Sequence, residues 1–156
     1  MRLLYKIIAN MTKTRKFLIV SHGAFAGGIR SALELITGTA GEVGIIQAYL
    51  DENKPVEEEL LEYFKGAGET EEWVVFTDLL GGSITNQVLR VTADLPGGPH
   101  IHIVAGVNLP LVIEVVLGDT DVPVAQVLAE AVGRARDQLV YVNGYISTST
   151  NVPDNA

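Results

Sequence analysis

The sequence contains no cysteine, few aromatic side chains and a deficit of positive charge. None of its 156 residues is Cys and 6% are aromatic, while 11 Lys and Arg stand against 19 Asp and Glu, which gives a formal net charge of −8. The absence of Cys excludes disulfides, thiol catalysis and Cys-ligated zinc. An acidic chain also lacks the basic surface with which nucleic-acid-binding proteins neutralise phosphates, so we expect no nucleic-acid partner.

The sequence also lacks a long apolar run. A helix that crosses a bilayer needs roughly 20 apolar residues, and no stretch of the chain approaches that length. The first residues lack the long apolar core and the cleavage site of a secretory signal, so we expect a cytoplasmic protein. Residues 1–15 are basic without a convincing period, and Met11 is a candidate translational start. We expect an extension outside the fold over 1–15, one domain over 16–143 and a flexible tail over 144–156.

Short apolar runs alternate along the chain with segments of helical periodicity. Phe17–Val20 is unbroken and consists of apolar or β-branched residues, as is typical of a strand buried on both faces. The other predicted strands are Val43–Ala48, Trp73–Thr77 and Ile101–Ala105. Apolar residues at helical spacing follow each of the runs. The alternation predicts an α/β fold: a doubly wound, mostly parallel four-stranded sheet with helices on both faces.

The end of the domain carries one more apolar run, Leu139–Val142. It follows a long predicted helix, and no crossover follows that could place it parallel in the sheet. We therefore predict a C-terminal antiparallel edge strand. An exposed apolar edge invites pairing with another chain, so a homodimer is expected. The alternative is that the strand folds back on its own sheet.

Polar residues follow three of the parallel strands: Ser21 and His22, then Thr77 and Asp78, then Asn108. The carboxyl ends of parallel strands meet at one edge of a doubly wound sheet, where such folds bind ligands. A histidine beside a strand is by itself most often a loop residue. A histidine and an aspartate at the same edge indicate a functional site.

The residue types at this edge suit nucleophilic catalysis. Imidazole is both a nucleophile and a leaving group, and a carboxylate on its far nitrogen fixes the tautomer. His22 could therefore accept a phosphoryl group while Asp78 orients it. Gly81, Gly82 and Ser83 offer a helix N-terminus, which favours anions. Ser83 also suits a helix N-cap, and the two roles are compatible.

Other chemistries lack their motifs. The sequence contains no nucleophile elbow, no phosphate-binding P-loop and no dinucleotide fingerprint. His100 and His102 stand two apart on one face of a predicted strand, where a metal pair is conceivable. We interpret them as surface or hydrogen-bonded histidines, and predict no metal and no cofactor.

Three motifs occur in order: Ile19–Gly23 (IVSHG), Phe76–Ser83 (FTDLLGGS) with Asn86, and Ala105–Pro110 (AGVNLP). Together they resemble the enzyme IIA domain of the mannose family of the bacterial phosphoenolpyruvate-dependent sugar phosphotransferase system. The resemblance runs from about residue 16 to residue 141, which is nearly all of the predicted domain.

The resemblance implies a phosphotransferase in which His22 takes a phosphoryl group from the histidine phosphocarrier protein and gives it to a IIB domain or subunit. It implies that Asp78 orients the imidazole and that Ser83 lies at the phosphoryl pocket, with Gly81, Gly82 and Ser21 beside it. Ser21 stands where the family often has Thr, which keeps a hydroxyl. The resemblance also implies a homodimer that exchanges a C-terminal strand. The membrane IIC and IID components, which select the sugar, would be indirect partners.

Two other functions stay open on the sequence. The related phosphotransfer subunit of dihydroxyacetone kinases has the same fold and chemistry, but the sequence from Gly81 to Asn86 and the motif ending at Pro110 favour the sugar branch. The other is a non-catalytic binding module with this fold, against which His22 and Asp78 both count.

Overall fold

The computed structural model describes residues 1, 4, 13–50, 54–95 and 100–149. The strands are β1 (Thr14–His22), β2 (Val43–Ala48), β3 (Glu71–Thr77) and β4 (His100–Ala105), and they form one parallel sheet in the order β2-β1-β3-β4. The helices are α1 (Phe25–Thr37), α2 (Val56–Phe64), α3 (Ser83–Ala93), α4 (Leu109–Val116), α5 (Val124–Asp137) and α6 (Val142–Ser149), with a 3-10 turn at Ala40–Glu42. The predicted α/β fold with a parallel four-stranded sheet is confirmed.

The two faces of the sheet are covered by different helices. Side chains at alternate positions of a strand point to opposite faces, so Ile19 belongs to one core and Leu18 and Val20 to the other. The first core contains buried residues of α1, α4 and α5, and the second contains buried residues of α2 and α3. The consecutive residues Leu18, Ile19 and Val20 are therefore all buried, which explains the apolar run.

The C-terminal strand prediction is wrong for the single chain. Residues 139–141 have no regular structure, and Val142 begins α6, which continues to Ser149. A strand exists only through hydrogen bonds to a neighbouring strand, and among the described residues β4 is the last strand on its side of the sheet. The segment predicted as a flexible tail thus begins inside a helix, and its residues 150–156 lie outside the described part.

The amino-terminal boundary also differs from the expectation. β1 begins at Thr14, two residues inside the segment predicted to be an extension. The Arg15 side chain is almost fully buried, and its guanidinium donates to the backbone oxygens of Asp119 and Val122. Thr14 and Arg15 are therefore part of the fold. Of the residues before Lys13, only Met1 and Leu4 are described.

Candidate functional site

The site lies at the switch point of the sheet, where the order of the strands reverses. β1 pairs with β2 on one side and with β3 on the other. The crossover from β1 to β2 therefore runs toward one edge of the sheet, and the crossover from β2 to β3 returns past β1 toward the other. The carboxyl ends of the two strands at such a switch point form a crevice in which α/β proteins bind ligands. His22 is the last residue of β1, and Asp78 comes directly after β3.

His22 and Asp78 are joined by two short hydrogen bonds. The His22 backbone N–H donates to Asp78 Oδ2 over 2.7 Å, and the ring Nδ1 lies 2.7 Å from the same oxygen. The other oxygen, Oδ1, accepts from the Leu79 N–H over 2.8 Å. The His22 side chain is 41% exposed and the Asp78 side chain 10%. The aspartate is therefore held inside the turn while the imidazole remains accessible.

These contacts define the protonation of the pair. Burial raises the pKa of the Asp78 carboxyl, but the hydrogen bonds from the His22 N–H, the His22 ring and the Leu79 N–H outweigh it and hold the pKa below its ordinary value of 3.8. An ionised carboxylate accepts hydrogen bonds and donates none. In neutral His22 the hydrogen therefore lies on Nδ1, and Nε2 carries the lone pair.

Ser83 faces that lone pair. Its Oγ lies 3.4 Å from His22 Nε2, at the first residue of α3. The predicted N-cap role of Ser83 is wrong, because Gly82 occupies the N-cap position and no side-chain cap bond forms. Gly81 has a φ of +73°, a region that costs residues with a Cβ roughly 1–2 kcal/mol. The turn thus requires glycine, and it directs the Ser83 hydroxyl toward the imidazole.

The Ser21 hydroxyl does not reach the site. Ser21 is fully buried, and its Oγ accepts from the Ala26 N–H over 2.8 Å, at the start of α1. Neighbouring strand residues point to opposite faces, so Ser21 faces α1 when His22 faces α3. The phosphoryl-binding role predicted for Ser21 is therefore corrected to one of holding the first turn of α1.

Asn108 follows β4 and caps the next helix. Its Oδ1 accepts from the Leu111 N–H over 2.9 Å, which is the N-cap bond of α4. Within the described ranges Asn108 makes no hydrogen bond to His22 or Asp78. The third polar strand end predicted for this edge thus has a local structural role.

Two residues of the site were not anticipated from the sequence. The Tyr49 hydroxyl lies 3.2 Å from Ser83 Oγ and 3.2 Å from Gln87 Nε2, and the Tyr49 ring lies 5.5 Å from the His22 ring. Tyr49 directly follows β2. His22 and Asp78 were predicted because the carboxyl ends of parallel strands converge. The same rule applied to the end of β2 would have identified Tyr49.

Two buried threonines hold the turn that carries Asp78. Thr77 Oγ1 lies 2.8 Å from Thr85 Oγ1, and the Thr85 hydroxyl donates to the Leu79 backbone oxygen over 2.6 Å. Both threonine side chains are almost fully buried. The end of β3 is therefore bonded to the first turn of α3 across the loop between them.

Comparison with known proteins gives the site its family. The model of the EIIA-man family, described as PTS system fructose IIA component, matches residues 16–132, which is more than half of the chain. The chain belongs to this family. It is thus a IIA component of the sugar phosphotransferase system, as the three motifs predicted.

Solved structures agree with the match. A putative phosphoenolpyruvate-dependent sugar phosphotransferase system permease from Klebsiella pneumoniae is 28% identical with a TM-score of 0.77, over 86% of this chain and 96% of that one. The phosphotransferase system component EIIA from Streptococcus agalactiae is 29% identical with a TM-score of 0.71, over 84% and 99%. A mannose/sorbose specific IIA subunit from Enterococcus faecalis, 23% identical with a TM-score of 0.69 over 81% and 93%, shares the fold.

Large apolar side chains surround the strand ends of this IIA component. Five of them are exposed, and we call them the apolar rim: Phe25, Tyr49, Leu50, Leu79 and Leu80. Leu80 is 87% exposed. Within the described residues, cavities of about 350 to 480 Å³ lie elsewhere on the molecule and are not lined by His22, Asp78 or Ser83. The imidazole therefore stands at an open, partly apolar surface.

The other predicted histidines lie elsewhere on the sheet. His102 is on β4, and its Nε2 lies 3.7 Å from Glu72 Oε1. Burial lowers the pKa of His102 below the ordinary value of 6.5, although the negative charge of Glu72 opposes that shift. In the described part of the chain no three His, Cys, Asp or Glu side chains are grouped to hold a metal ion. No helix there is long and apolar enough to cross a membrane.

Proposed function

We propose that the chain is a cytoplasmic phosphohistidine carrier in bacterial sugar uptake. His22 accepts a phosphoryl group from the histidine phosphocarrier protein and passes it to a IIB domain or subunit. One observation carries the proposal: Nδ1 of His22 is held by Asp78 at 2.7 Å, which leaves Nε2 as an accessible nucleophile. Family membership supports the same role.

The transfer step follows from this geometry. The Nε2 lone pair of His22 attacks the phosphorus of the donor phosphohistidine, and the bond from phosphorus to the donor nitrogen breaks. The electrons of that bond stay on the donor ring. The His22 ring becomes a cation that keeps its hydrogen on Nδ1, and the Asp78 carboxylate stabilises it. The reverse sequence on a IIB acceptor returns the ring to its neutral form.

The seat for the transferred group is the start of α3. The first N–H groups of a helix have no partner within the helix and favour an anion. The Ser83 hydroxyl adds a donor beside Nε2. The Gly82 N–H is not free for this role, because it donates to the Leu79 backbone oxygen over 3.1 Å. Gly81 and Gly82 instead allow the tight turn before α3. Gly81 has a positive φ, and a Cβ on Gly82 would lie 3.1 Å from Leu79 Cβ.

The apolar rim supports protein partners rather than a small-molecule substrate. A patch of exposed large apolar side chains around a reactive group is typical of a protein-docking surface. The net charge of −8 suits association with a basic partner. The membrane IIC and IID components take part only through the IIB component, since the carrier passes phosphate and not sugar.

Two copies of the chain form a homodimer under this proposal. Leu139 is 91% exposed and Tyr141 79%, and the start of α6 exposes more apolar side chains. One edge of β4 also has no neighbouring strand within the described residues. Sedimentation should give twice the chain mass at micromolar concentration, and a monomer there would contradict the dimer.

The carrier function is tested by reconstitution. The chain is incubated with phosphoenolpyruvate, enzyme I and the histidine phosphocarrier protein, and then with a IIB domain. We expect one acid-labile, alkali-stable phosphate per chain, which leaves the chain when IIB is added. Absence of label would contradict the proposal. Label that passes to a dihydroxyacetone kinase subunit and not to IIB would move the chain to that pathway.

A further inference from the structure

Tyr49 is held in an unusual backbone conformation beside the reactive histidine. Its φ is +65°, and within the described ranges no other non-glycine residue has a positive φ. This left-handed region is unfavourable for an aromatic residue and persists only where the surroundings impose it. Such outliers cluster at functional sites. The conformation places the ring against His22, with centroids 5.5 Å apart and planes inclined by 42°.

The Tyr49 hydroxyl belongs to a continuous series of contacts. Gln87 Nε2 lies 3.2 Å from Tyr49 Oη, which lies 3.2 Å from Ser83 Oγ. Ser83 Oγ lies 3.4 Å from His22 Nε2, and His22 Nδ1 lies 2.7 Å from Asp78 Oδ2. The series joins three strand ends and α3, and it crosses the imidazole from one nitrogen to the other.

The two ends of the series fix the direction of every hydrogen bond in it. Gln87 Nε2 has no lone pair with which to accept, so it donates to Tyr49 Oη. Asp78 only accepts, so Nδ1 of neutral His22 carries the hydrogen and Nε2 carries the lone pair. Ser83 therefore donates its one hydrogen to Nε2. Because that hydrogen is used, the contact between Ser83 and Tyr49 requires the tyrosine to donate.

We propose that Tyr49 is a positioning residue of the phosphoryl site: its hydroxyl donates to Ser83 Oγ and so keeps the Ser83 hydrogen directed at the reacting atoms. Before transfer that hydrogen bonds Nε2. After transfer Nε2 has no lone pair, and the hydrogen turns to a phosphoryl oxygen while Tyr49 continues to donate behind it. Tyr49 thus preorganises a donor for the charge of the transferred group. This inference rests on the proposed phosphohistidine function.

The test compares single and double variants in phosphoryl transfer from the phosphocarrier protein. Tyr49→Phe keeps the ring and its apolar surface and removes only the hydroxyl. We expect kcat to fall about 10-fold, the effect of one hydrogen bond, with the KM for the phosphocarrier within about 2-fold of wild type. Since Tyr49 acts through Ser83, the variant with both Tyr49→Phe and Ser83→Ala should be no slower than Ser83→Ala alone.

Tyr63→Phe is the matched control. The Tyr63 hydroxyl bonds the backbone N–H and oxygen of Ile45 on β2, away from His22. This variant also loses one tyrosine hydroxyl, but its kcat should equal that of the wild type. Gln87→Leu should also slow transfer, but by less than Tyr49→Phe. It removes a donor to the Tyr49 hydroxyl, while the Tyr49 hydroxyl can still donate to Ser83.

The possible outcomes distinguish a failure of the Tyr49 positioning role from a failure of the proposed phosphohistidine function. If wild-type chain takes no label on His22, the phosphohistidine function itself fails. If the wild type is labelled and Tyr49→Phe has an unchanged kcat, the positioning role is overturned. An increase in KM alone would overturn it as well, because it would make Tyr49 a docking residue. Additive effects of Tyr49→Phe and Ser83→Ala would show that Tyr49 does not act through Ser83.

Discussion

His22 and His102 each face a carboxylate on the same sheet, but the two pairs differ in geometry. His22 Nδ1 lies 2.7 Å from Asp78 Oδ2, at the carboxyl end of β1. His102 Nε2 lies 3.7 Å from Glu72 Oε1, beyond hydrogen-bond distance. Asp78 receives three N–H donors, all from His22 and Leu79. Glu72 instead faces the Arg15 guanidinium, at 3.7 Å, as well as His102.

The difference teaches that a histidine beside a carboxylate is not yet a nucleophile. Arginine stays charged at any pH a protein meets, so Arg15 already balances the Glu72 charge. His102 is partly buried without a hydrogen bond to Glu72, and burial favours its neutral form. Only at His22 does the carboxylate fix the tautomer and leave the other nitrogen exposed. Four predictions test this contrast.

The largest effect is expected from removing His22, and removing His102 is the comparison. His22→Gln removes the proposed nucleophile, so labelling from phosphoenolpyruvate through the phosphocarrier should be lost. His102→Gln should take up one phosphate at the wild-type rate. Phosphate incorporation measures both. Label that persists in His22→Gln, on His100 or His102, would reverse the assignment.

The two carboxylates should also differ in their effect on transfer. Asp78→Asn removes the acceptor that orients the ring, and orienting roles of this kind are worth about 10²–10⁴-fold in rate. Glu72→Gln should leave the transfer rate within about 2-fold, because Glu72 does not hold a reacting ring. Rapid-quench transfer kinetics compare them. Wild-type rates in Asp78→Asn would remove Asp78 from the site.

Stability should depend more on the hydrogen bonds of the Arg15 side chain to Asp119 and Val122 than on surface ion pairs. Arg15→Met removes two charge-assisted hydrogen bonds to backbone oxygens, and we expect the free energy of unfolding to fall by about 2–3 kcal/mol. Transfer per folded molecule should not change. Arg90→Met is the control: the Arg90 pair with Glu57 is exposed, and such pairs contribute about 0–1 kcal/mol. Urea denaturation that ranks Arg90→Met as the more damaging variant would contradict this.

The smallest effect concerns pH. The pKa of His102 lies below 6.5 in the folded chain, so as the pH falls through that value the unfolded chain binds a proton first and stability declines. His102→Gln should therefore lose less stability than wild type between about pH 7 and about pH 5. The lowered pKa of Asp78 has the same sign, but its stabilisation is complete above 3.8 and is lost only below it. The free energy of unfolding is measured against pH for both proteins. The same pH dependence in wild type and His102→Gln would refute the His102 effect.

The sequence predicted the pair His22 and Asp78 because parallel strands bring their carboxyl ends together whatever the details of packing. It also predicted that β1 is buried on both faces, as Leu18, Ile19 and Val20 are. The error at Ser21 was avoidable, since neighbours on a strand point apart. The conformation of Tyr49 was not predictable, because a tyrosine with positive φ is fixed by tertiary contacts and carries no local signal.

The strand prediction for the C-terminal segment was wrong for another reason. Leu139–Val142 has the composition of a strand, but strand structure belongs to a pair of segments and cannot be read from one. In the single chain no partner is in place, and Val142 starts a helix. The N-cap was predicted at Ser83 and lies at Gly82, because serine and glycine both suit that position and the sequence does not choose between them.

The threonine pair beneath the site has a consequence for how often the carrier can turn over. Because Thr85 bonds both the Thr77 hydroxyl and the Leu79 backbone oxygen, the loop after β3 is ordered before any partner arrives. Ordering a backbone residue costs about 1–2 kcal/mol in entropy, and here that cost is met once, at folding. Each encounter with a donor or an acceptor then begins at a finished seat. We therefore expect partner association and dissociation, and not loop ordering, to limit the proposed relay. The loop amides should exchange slowly with solvent in both phosphorylation states.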